Sequence, residues 1–371
     1  MVLLTPGPTP IHPRVQTALG KEMRGHLDPE VLATNRRIRE HLNKLFDPGP
    51  GALLAAMPGS GSLGMEAGLT NLADEGDAVL LLVSGTFGER MVEIAHAYQF
   101  NYKVLRSEPG HPIDPQAVAE ELNHRPYKLV ALVHGETSTG VLNPVEEIAA
   151  LVQAHGALFM LDAVTTAGMM PLSMQKLGVD YAFTGSQKCL SAPPGLAPFA
   201  LSQRGRECLG QVRGWYSDLS RVAVYWEQEG YFCTSPVLLH YALEEALKLA
   251  LEEGLEHRQK RAESLYATVL SLLEELGFSA YAAEGARLPT VLVVRPPQGL
   301  HEAEIRKGLY ARGVSVAGGI GPTAGKVLRL GLMGESARPE HYRVFFKALG
   351  EVLGKGGLER AFEERLGLVA F

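Results

Sequence analysis

The stretches Leu158-Phe159-Met160-Leu161-Asp162 and Tyr181-Ala182-Phe183-Thr184-Gly185-Ser186-Gln187-Lys188 decide how this chain is read. Each starts as a short apolar run and ends on a polar group, a carboxylate in the first and an amine in the second. Near-continuous apolar runs of this length are expected of strands buried on both faces. The strand patterns are 158–161 and 181–184 here, with further ones at 52–56, 79–83, 129–133 and 199–201, and helical patterns at 64–72, 88–98, 115–122 and 145–155 lie between them. Such strand–helix repetition predicts an α/β fold around a largely parallel sheet, whose sites lie at the carboxyl ends of the strands. Asp162 falls at such an end.

Beyond residue 240 the pattern changes. Ala242, Leu243, Ala246, Leu247, Ala250 and Leu251 form a 3.6-period stripe within a helical region at 240–276 that is interrupted at Gly254. Strand patterns at 290–294, 314–317 and 327–330 and helical patterns at 301–312 and 339–353 predict a smaller α+β domain. The expected organisation is an N-terminal arm (1–20), a large α/β domain (21–253) and a small C-terminal domain (254–371), bridged by the long helical region. The tail after Gly356 is amphipathic and fits one more helix.

At 371 residues the chain is long enough for two domains with cores of their own. Its 46% hydrophobic and 20% charged composition is that of a globular protein. A formal net charge of -6, with no Lys/Arg-rich stripe, argues against nucleic acid as a partner. Cys189, Cys208 and Cys233 show no paired spacing, so neither a disulfide framework nor a metal site is expected. The opening Met1-Val2-Leu3-Leu4-Thr5-Pro6-Gly7-Pro8 is too Pro-rich for a secretory leader, and no apolar run reaches the ~20 residues of a membrane span. A cytoplasmic protein is expected.

Polar loops follow one predicted strand after another. Pro58-Gly59-Ser60-Gly61-Ser62 opens a helix, and its glycines, hydroxyls and first-turn amides suit an anion such as a phosphate. It lacks the Lys of a nucleotide-binding P-loop and the spacing of a dinucleotide fingerprint. Ser84-Gly85-Thr86-Phe87-Gly88 brings an aromatic ring to the next strand end, and His134-Gly135-Glu136-Thr137-Ser138-Thr139-Gly140 clusters hydroxyls at a third. Taken singly, Asp162 is an ordinary turn residue, Lys188 a solvated charge and Phe87 a core ring. Together they predict one concave site at one edge of one sheet. An amine and a carboxylate at neighbouring strand ends, beside a phosphate loop, are what pyridoxal phosphate requires. The lysine forms the Schiff base, and the carboxylate keeps the pyridine nitrogen protonated.

The segments Thr5–Pro8, Gly59–Ser62, His134–Gly140, Gly185–Lys188 with Pro193-Pro194-Gly195, and Gly318-Gly319-Ile320-Gly321-Pro322 followed by Gly325–Arg329 are similar to those of the class V aminotransferases. Within that family the resemblance is closest to the alanine–glyoxylate/serine–pyruvate aminotransferase group of fold-type I enzymes. It runs from residue 3 to about residue 335 and implies a seven-stranded-type, mostly parallel large sheet with a smaller domain. It further implies Lys188 as the Schiff-base lysine, Asp162 on the pyridinium nitrogen and Gln187 near the ring hydroxyl. Ser60, Gly61 and Ser62 would hold the phosphate, Phe87 would stack on the ring, and Ser138 would sit against it. Phe87 stands where relatives often have Trp, and Ser62 where they often have His. Tyr231 and Thr234 would reach the cofactor phosphate of a partner subunit, which makes a homodimer with shared sites. Arg329 would clamp the substrate carboxylate bidentately, a task for which lysine is poorly shaped, with the backbone near Gly7 completing the pocket. His26 and Arg24 are further candidates for the entrance.

The implied activity is transfer of an amino group from serine or alanine to glyoxylate or pyruvate. An aspartate:2-oxoglutarate enzyme is the alternative, and it needs a second cation that the sequence does not locate. A cysteine desulfurase-like lyase needs a mobile nucleophilic cysteine downstream of the lysine, and no cysteine follows Cys233. A non-catalytic binding module of the same fold would not need Lys188, Asp162 and Arg329 together.

Overall fold

The computed structural model describes residues 1–211 and 213–368. Residues 369–371, the end of the expected small domain, lie outside the described residues. The centre is a seven-stranded sheet in the order Leu53–Pro58, Leu196–Leu201, Tyr181–Phe183, Leu158–Asp162, Leu129–Val133, Ala78–Val83, Asn101–Arg106. Leu196–Leu201 pairs antiparallel with both of its neighbours, and the other ladders are parallel. Five of these strands match predicted runs to within a residue or two, because each is buried on both faces. Leu196–Leu201 is longer than its predicted 199–201, since Pro198 interrupts the apolar run without breaking the strand. Asn101–Arg106 was not legible as a strand. It is the sheet edge, and its alternately exposed side chains leave no continuous apolar run.

The helices Pro29–Phe46, Gly61–Leu72, Thr86–Ala97, Val145–His155 and Val237–Glu253 accompany this sheet. Pro29–Phe46 was not expected either. Its buried face of Val31, Thr34, Asn35, Ile38, Leu42 and Leu45 includes two polar residues, which masks the apolar period. The predicted helical region 240–276 is two helices, Val237–Glu253 and Leu255–Glu275. They are divided by Gly254 at φ +85°, a conformation costly for any residue with a Cβ. Leu243, Leu247 and Ala250 pack in the core of the large sheet. Ala262, Leu265, Val269 and Leu273 belong to a second core.

That second core surrounds a four-stranded antiparallel sheet, Ser279–Ala280, Val291–Arg295, Leu328–Gly331 and Ala317–Gly318. The helices Glu302–Tyr310, Pro339–Leu353 and Leu358–Leu368 accompany it, the last being the amphipathic tail. The N-terminus joins this half: Val2–Leu3 pairs in parallel with Val314–Ser315, and the Gly331 amide donates to the Leu4 carbonyl at 2.7 Å. From there the chain runs inward, so that the Thr9 amide donates to the Gln187 carbonyl at 3.1 Å. The chain start therefore reaches Lys188.

Candidate active site

The carboxyl ends of the Leu53–Pro58, Ala78–Val83, Leu129–Val133 and Leu158–Asp162 strands open on one cavity of about 230 Å³. Ser60, Gly61 and Ser62 line it from the first loop, and Phe87 and Arg90 from the second. Gly135 and Thr137 come from the third, and Asp162 with Val164 and Thr165 from the fourth. Gln187 and Lys188 close it. Residues far apart in sequence meet here because parallel strands present all their carboxyl ends on the same edge.

Asp162 is buried, and its Oδ1 accepts the Val164 amide at 2.9 Å. Burial pushes its pKa up to about 7, against the Val164 hydrogen bond and the positive charge of Lys188. Lys188 donates from Nζ to the Pro6 carbonyl at 2.5 Å and lies 5.9 Å from the centre of the Phe87 ring. Its pKa falls to about 8, chiefly through burial and then through the charge of Arg329. A carboxylate and an amine whose pKa values are drawn toward neutrality can both exchange protons near pH 7. Gly7 explains the chain start at this point. At φ +102°, a Cβ there would lie 2.4 Å from Lys188 Cδ and 2.8 Å from its Nζ.

At the other end of the cavity, Ser60 caps the Gly61–Leu72 helix without a side-chain hydrogen bond. The Leu63 amide donates to the Ser60 carbonyl at 2.9 Å, which leaves the Gly61 and Ser62 amides available to an anion. Arg90 donates to Ser62 Oγ at 2.9 Å, with its guanidinium 4.7 Å from the centre of the Phe87 ring.

Arg329 lies behind the wall that Thr137 forms. It is 8% exposed, donates from Nε to the Gly318 carbonyl at 2.7 Å and from Nη1 to the Thr137 carbonyl at 3.3 Å. Burial lowers its pKa while the charge of Glu136 raises it. Ser138 is buried, but its hydroxyl is committed: it donates to Glu136 Oε1 at 2.7 Å and accepts the Thr86 amide at 2.9 Å. Tyr231 and Thr234 are exposed and outside the cavity lining. His26 and Arg24 do not line it either; Arg24 pairs with Glu30 at 2.8 Å.

The class V aminotransferase family model matches residues 52–334, a span that contains every cavity-lining residue named above. This chain belongs to the class V aminotransferases. An uncharacterised aminotransferase of Methanocaldococcus jannaschii is 36% identical, over 98% of this chain and 97% of its own. The alanine–glyoxylate aminotransferase of Callithrix jacchus is 34% identical, over 95% of this chain and 87% of its own. Among solved structures, the ureidoglycine–glyoxylate aminotransferase of Bacillus subtilis superposes with a TM-score of 0.95 at 32% identity, covering 99% of this chain and 98% of the other.

The aminotransferase is a pyridoxal-phosphate-dependent transaminase, and its cavity fits that cofactor on physical grounds. Gln187 Oε1 and Thr137 Oγ1 are buried without a hydrogen-bond partner, which a polar ligand would relieve. The free helix amides, Ser60, Ser62 and the half-buried Arg90 supply donors for a phosphate, and Arg90 has no carboxylate partner among the described residues. Phe87 offers an aromatic face between this phosphate end and Lys188. Sequence reasoning missed Arg90 and Glu136. The helical period of 88–98 turns Arg90 toward Phe87, which was a usable signal. Glu136 had none, since a Glu in a polar loop reads as a solvated charge.

Proposed function

We propose that this transaminase moves the amino group of a small amino acid, serine or alanine, to a 2-oxo acid, glyoxylate or pyruvate. The observation that carries the reading is that Lys188 and Asp162, apart in the sequence, line one cavity, with Arg329 bonded to the outer side of its Thr137 wall. Glyoxylate is common to the names of the alanine–glyoxylate and ureidoglycine–glyoxylate relatives, which supports it as acceptor.

Bound pyridoxal phosphate supplies an aldehyde that captures amines and a pyridinium ring that withdraws electron density. The protein does the rest. Ser60, Gly61 and Ser62 would hold the phosphate, Phe87 would face the ring and Gln187 would bond its hydroxyl. Asp162 would pair with the ring nitrogen, where a cation favours its ionised form. The Ser138 hydroxyl is already engaged, so Ser138 supports the ring through the Thr86 amide at the start of the Phe87 helix. Arg329 takes the substrate carboxylate, with the chain at Gly7 as the opposite wall. Lys188 Nζ, partly neutral near pH 7, would take the Cα proton of the amino donor and, in the return half of the reaction, deliver one to the Cα of the accepting 2-oxo acid.

Residues 1–20 serve as an arm, 21–253 as the cofactor domain and 254–371 as the small domain. The active unit is a homodimer in the cytoplasm. Tyr231 and Thr234 support this reading: they lie outside their own cavity, on a surface that also exposes Trp215 and Tyr216. A second copy of the chain would cover these rings and bring Thr234 to the neighbouring phosphate. No helix among the described residues is long and apolar enough to cross a membrane.

The alternative, aspartate with 2-oxoglutarate, needs a second cation for the extra carboxylate, and Arg90, which lines the cavity, is bonded to Ser62 at its phosphate end. The lyase reading lacks a nucleophile: Cys189 is buried, and burial pushes its thiol up to about 12. The deciding experiment titrates the cofactor-loaded enzyme with alanine, serine, aspartate and glutamate while following the cofactor's visible band. Bleaching by alanine or serine at the lowest concentration, with release of pyruvate or hydroxypyruvate, is expected. Preferential bleaching by aspartate selects the alternative, and no bleaching by any donor rejects transamination of these substrates.

A further inference from the structure

Glu136 has no part in the reading above, yet it is wholly buried beside the cavity. Its Oε2 accepts the Phe87 amide at 2.9 Å and the Gly88 amide at 3.2 Å. Its Oε1 accepts the Ser138 amide at 3.0 Å and the Ser138 hydroxyl at 2.7 Å. That hydroxyl accepts the Thr86 amide at 2.9 Å. The first three amides of the Thr86–Ala97 helix would otherwise be orphans, because its cap residue is Gly85, which has no side chain. Gly85 is required for the approach: a Cβ there would lie 2.5 Å from both Glu136 Cγ and Ser138 Oγ. The helix is therefore capped from a neighbouring strand end, by a carboxylate at the positive end of its dipole.

The carboxylate acts as an anion. Burial pushes its pKa up, and the hydrogen bonds from Ser138, Gly88 and Phe87 hold that rise back. A carboxylate has about four lone-pair sites, and the donors named above occupy all of them, leaving no room for a proton. The same short segment faces the other way as well. The Thr137 carbonyl accepts Arg329 Nη1 at 3.3 Å, and the Ser138 carbonyl accepts the Thr323 hydroxyl at 3.2 Å. One turn thus grips the helix that carries Phe87 on one side and the clamp Arg329 on the other.

We propose that Glu136 is a positioning residue, a buried anion that locks the Phe87 helix to the 136–138 turn and so sets the spacing between the ring-stacking Phe87 and Arg329. This rests on the roles of Phe87 and Arg329 given above. Glu136→Gln tests it without changing volume. The amide has one acceptor oxygen, and its NH2 must point at one of the two donor pairs.

The expected result is about tenfold weaker equilibrium binding of pyridoxal phosphate, from the mismatched buried donors. The visible circular dichroism of the bound cofactor should change, and KM for the amino donor should rise more than kcat falls. In a Phe87→Ala background the same substitution should cost clearly less affinity, because the two residues act as a unit. Wild-type affinity, dichroism and KM in Glu136→Gln with only a lower melting temperature would overturn the proposal, as would full additivity with Phe87→Ala. If Glu136→Gln does not fold, Ser138→Ala keeps the anion and removes one donor and the Thr86 cap. It should move the same readouts the same way by less, and no movement overturns the proposal. A wild-type protein with no cofactor dichroism sinks the functional reading and this proposal together; a normal wild type with an unchanged Glu136→Gln sinks only the proposal.

Discussion

Asp162 destabilises the cofactor-free protein, and Asp162→Asn should make that protein more heat-stable while disabling the enzyme. Burial raises the Asp162 pKa from 3.8 to about 7. At about 1.36 kcal/mol per pKa unit, the ionised group costs the native state about 4 kcal/mol. The sign follows from proton binding. Between pH 4 and pH 7 the native state holds a proton that the unfolded chain has released, so stability falls as pH rises through that window. Below pH 4 the cost is absent, and above pH 7 it is complete. Asparagine is neutral throughout, and its Oδ1 still accepts the Val164 amide. Unfolding entropy of about 2.1 cal/mol/K per residue gives about 0.8 kcal/mol/K for this chain length, so 4 kcal/mol corresponds to about 5 °C. Calorimetry of the cofactor-free proteins from pH 4 to pH 8 should show the variant's advantage growing from nothing to about 5 °C. Transamination by the loaded variant should fall at least a hundredfold, since the ring nitrogen loses its anion. Parallel melting-temperature profiles for the two proteins would refute the claim that Asp162 carries a burial-raised pKa.

Arg329→Lys should raise KM for the amino acid about a hundredfold with a smaller effect on kcat, because an ammonium cannot make the paired bonds of a guanidinium; steady-state kinetics with alanine checks it. Gly7→Ala puts a methyl group into Lys188 and needs a backbone angle disfavoured for alanine, so kcat should fall about a hundredfold while the circular dichroism of the fold persists. Mixing inactive Lys188→Ala with inactive Thr234→Glu protein should restore about a quarter of wild-type activity, since half the randomly formed dimers carry one intact site. No recovery would place Thr234 outside the partner's site.

What the sequence determined by itself was the part encoded in local pattern. Strands buried on both faces are uniform apolar runs, so the central sheet could be read from Leu129–Val133 or Leu158–Asp162 without coordinates. The motif residues Lys188, Asp162 and Ser60–Ser62 were legible because their types and loop positions are unusual together. The edge strand Asn101–Arg106 was not, since half its side chains meet water. The helix Pro29–Phe46 was hidden by Thr34 and Asn35 on its buried face.

Only the tertiary structure decided which charges line the cavity and which are buried beside it. Arg90 and Glu136 read locally as solvated side chains, and burial is a property of everything packed around them. The pKa shifts of Glu136 and Arg329, the closeness of Gly7 to Lys188 and the capping of one helix from another strand's loop all depend on distances between segments remote in the chain. Local sequence carries no record of such distances, because electrostatics and packing act through space and not along the backbone.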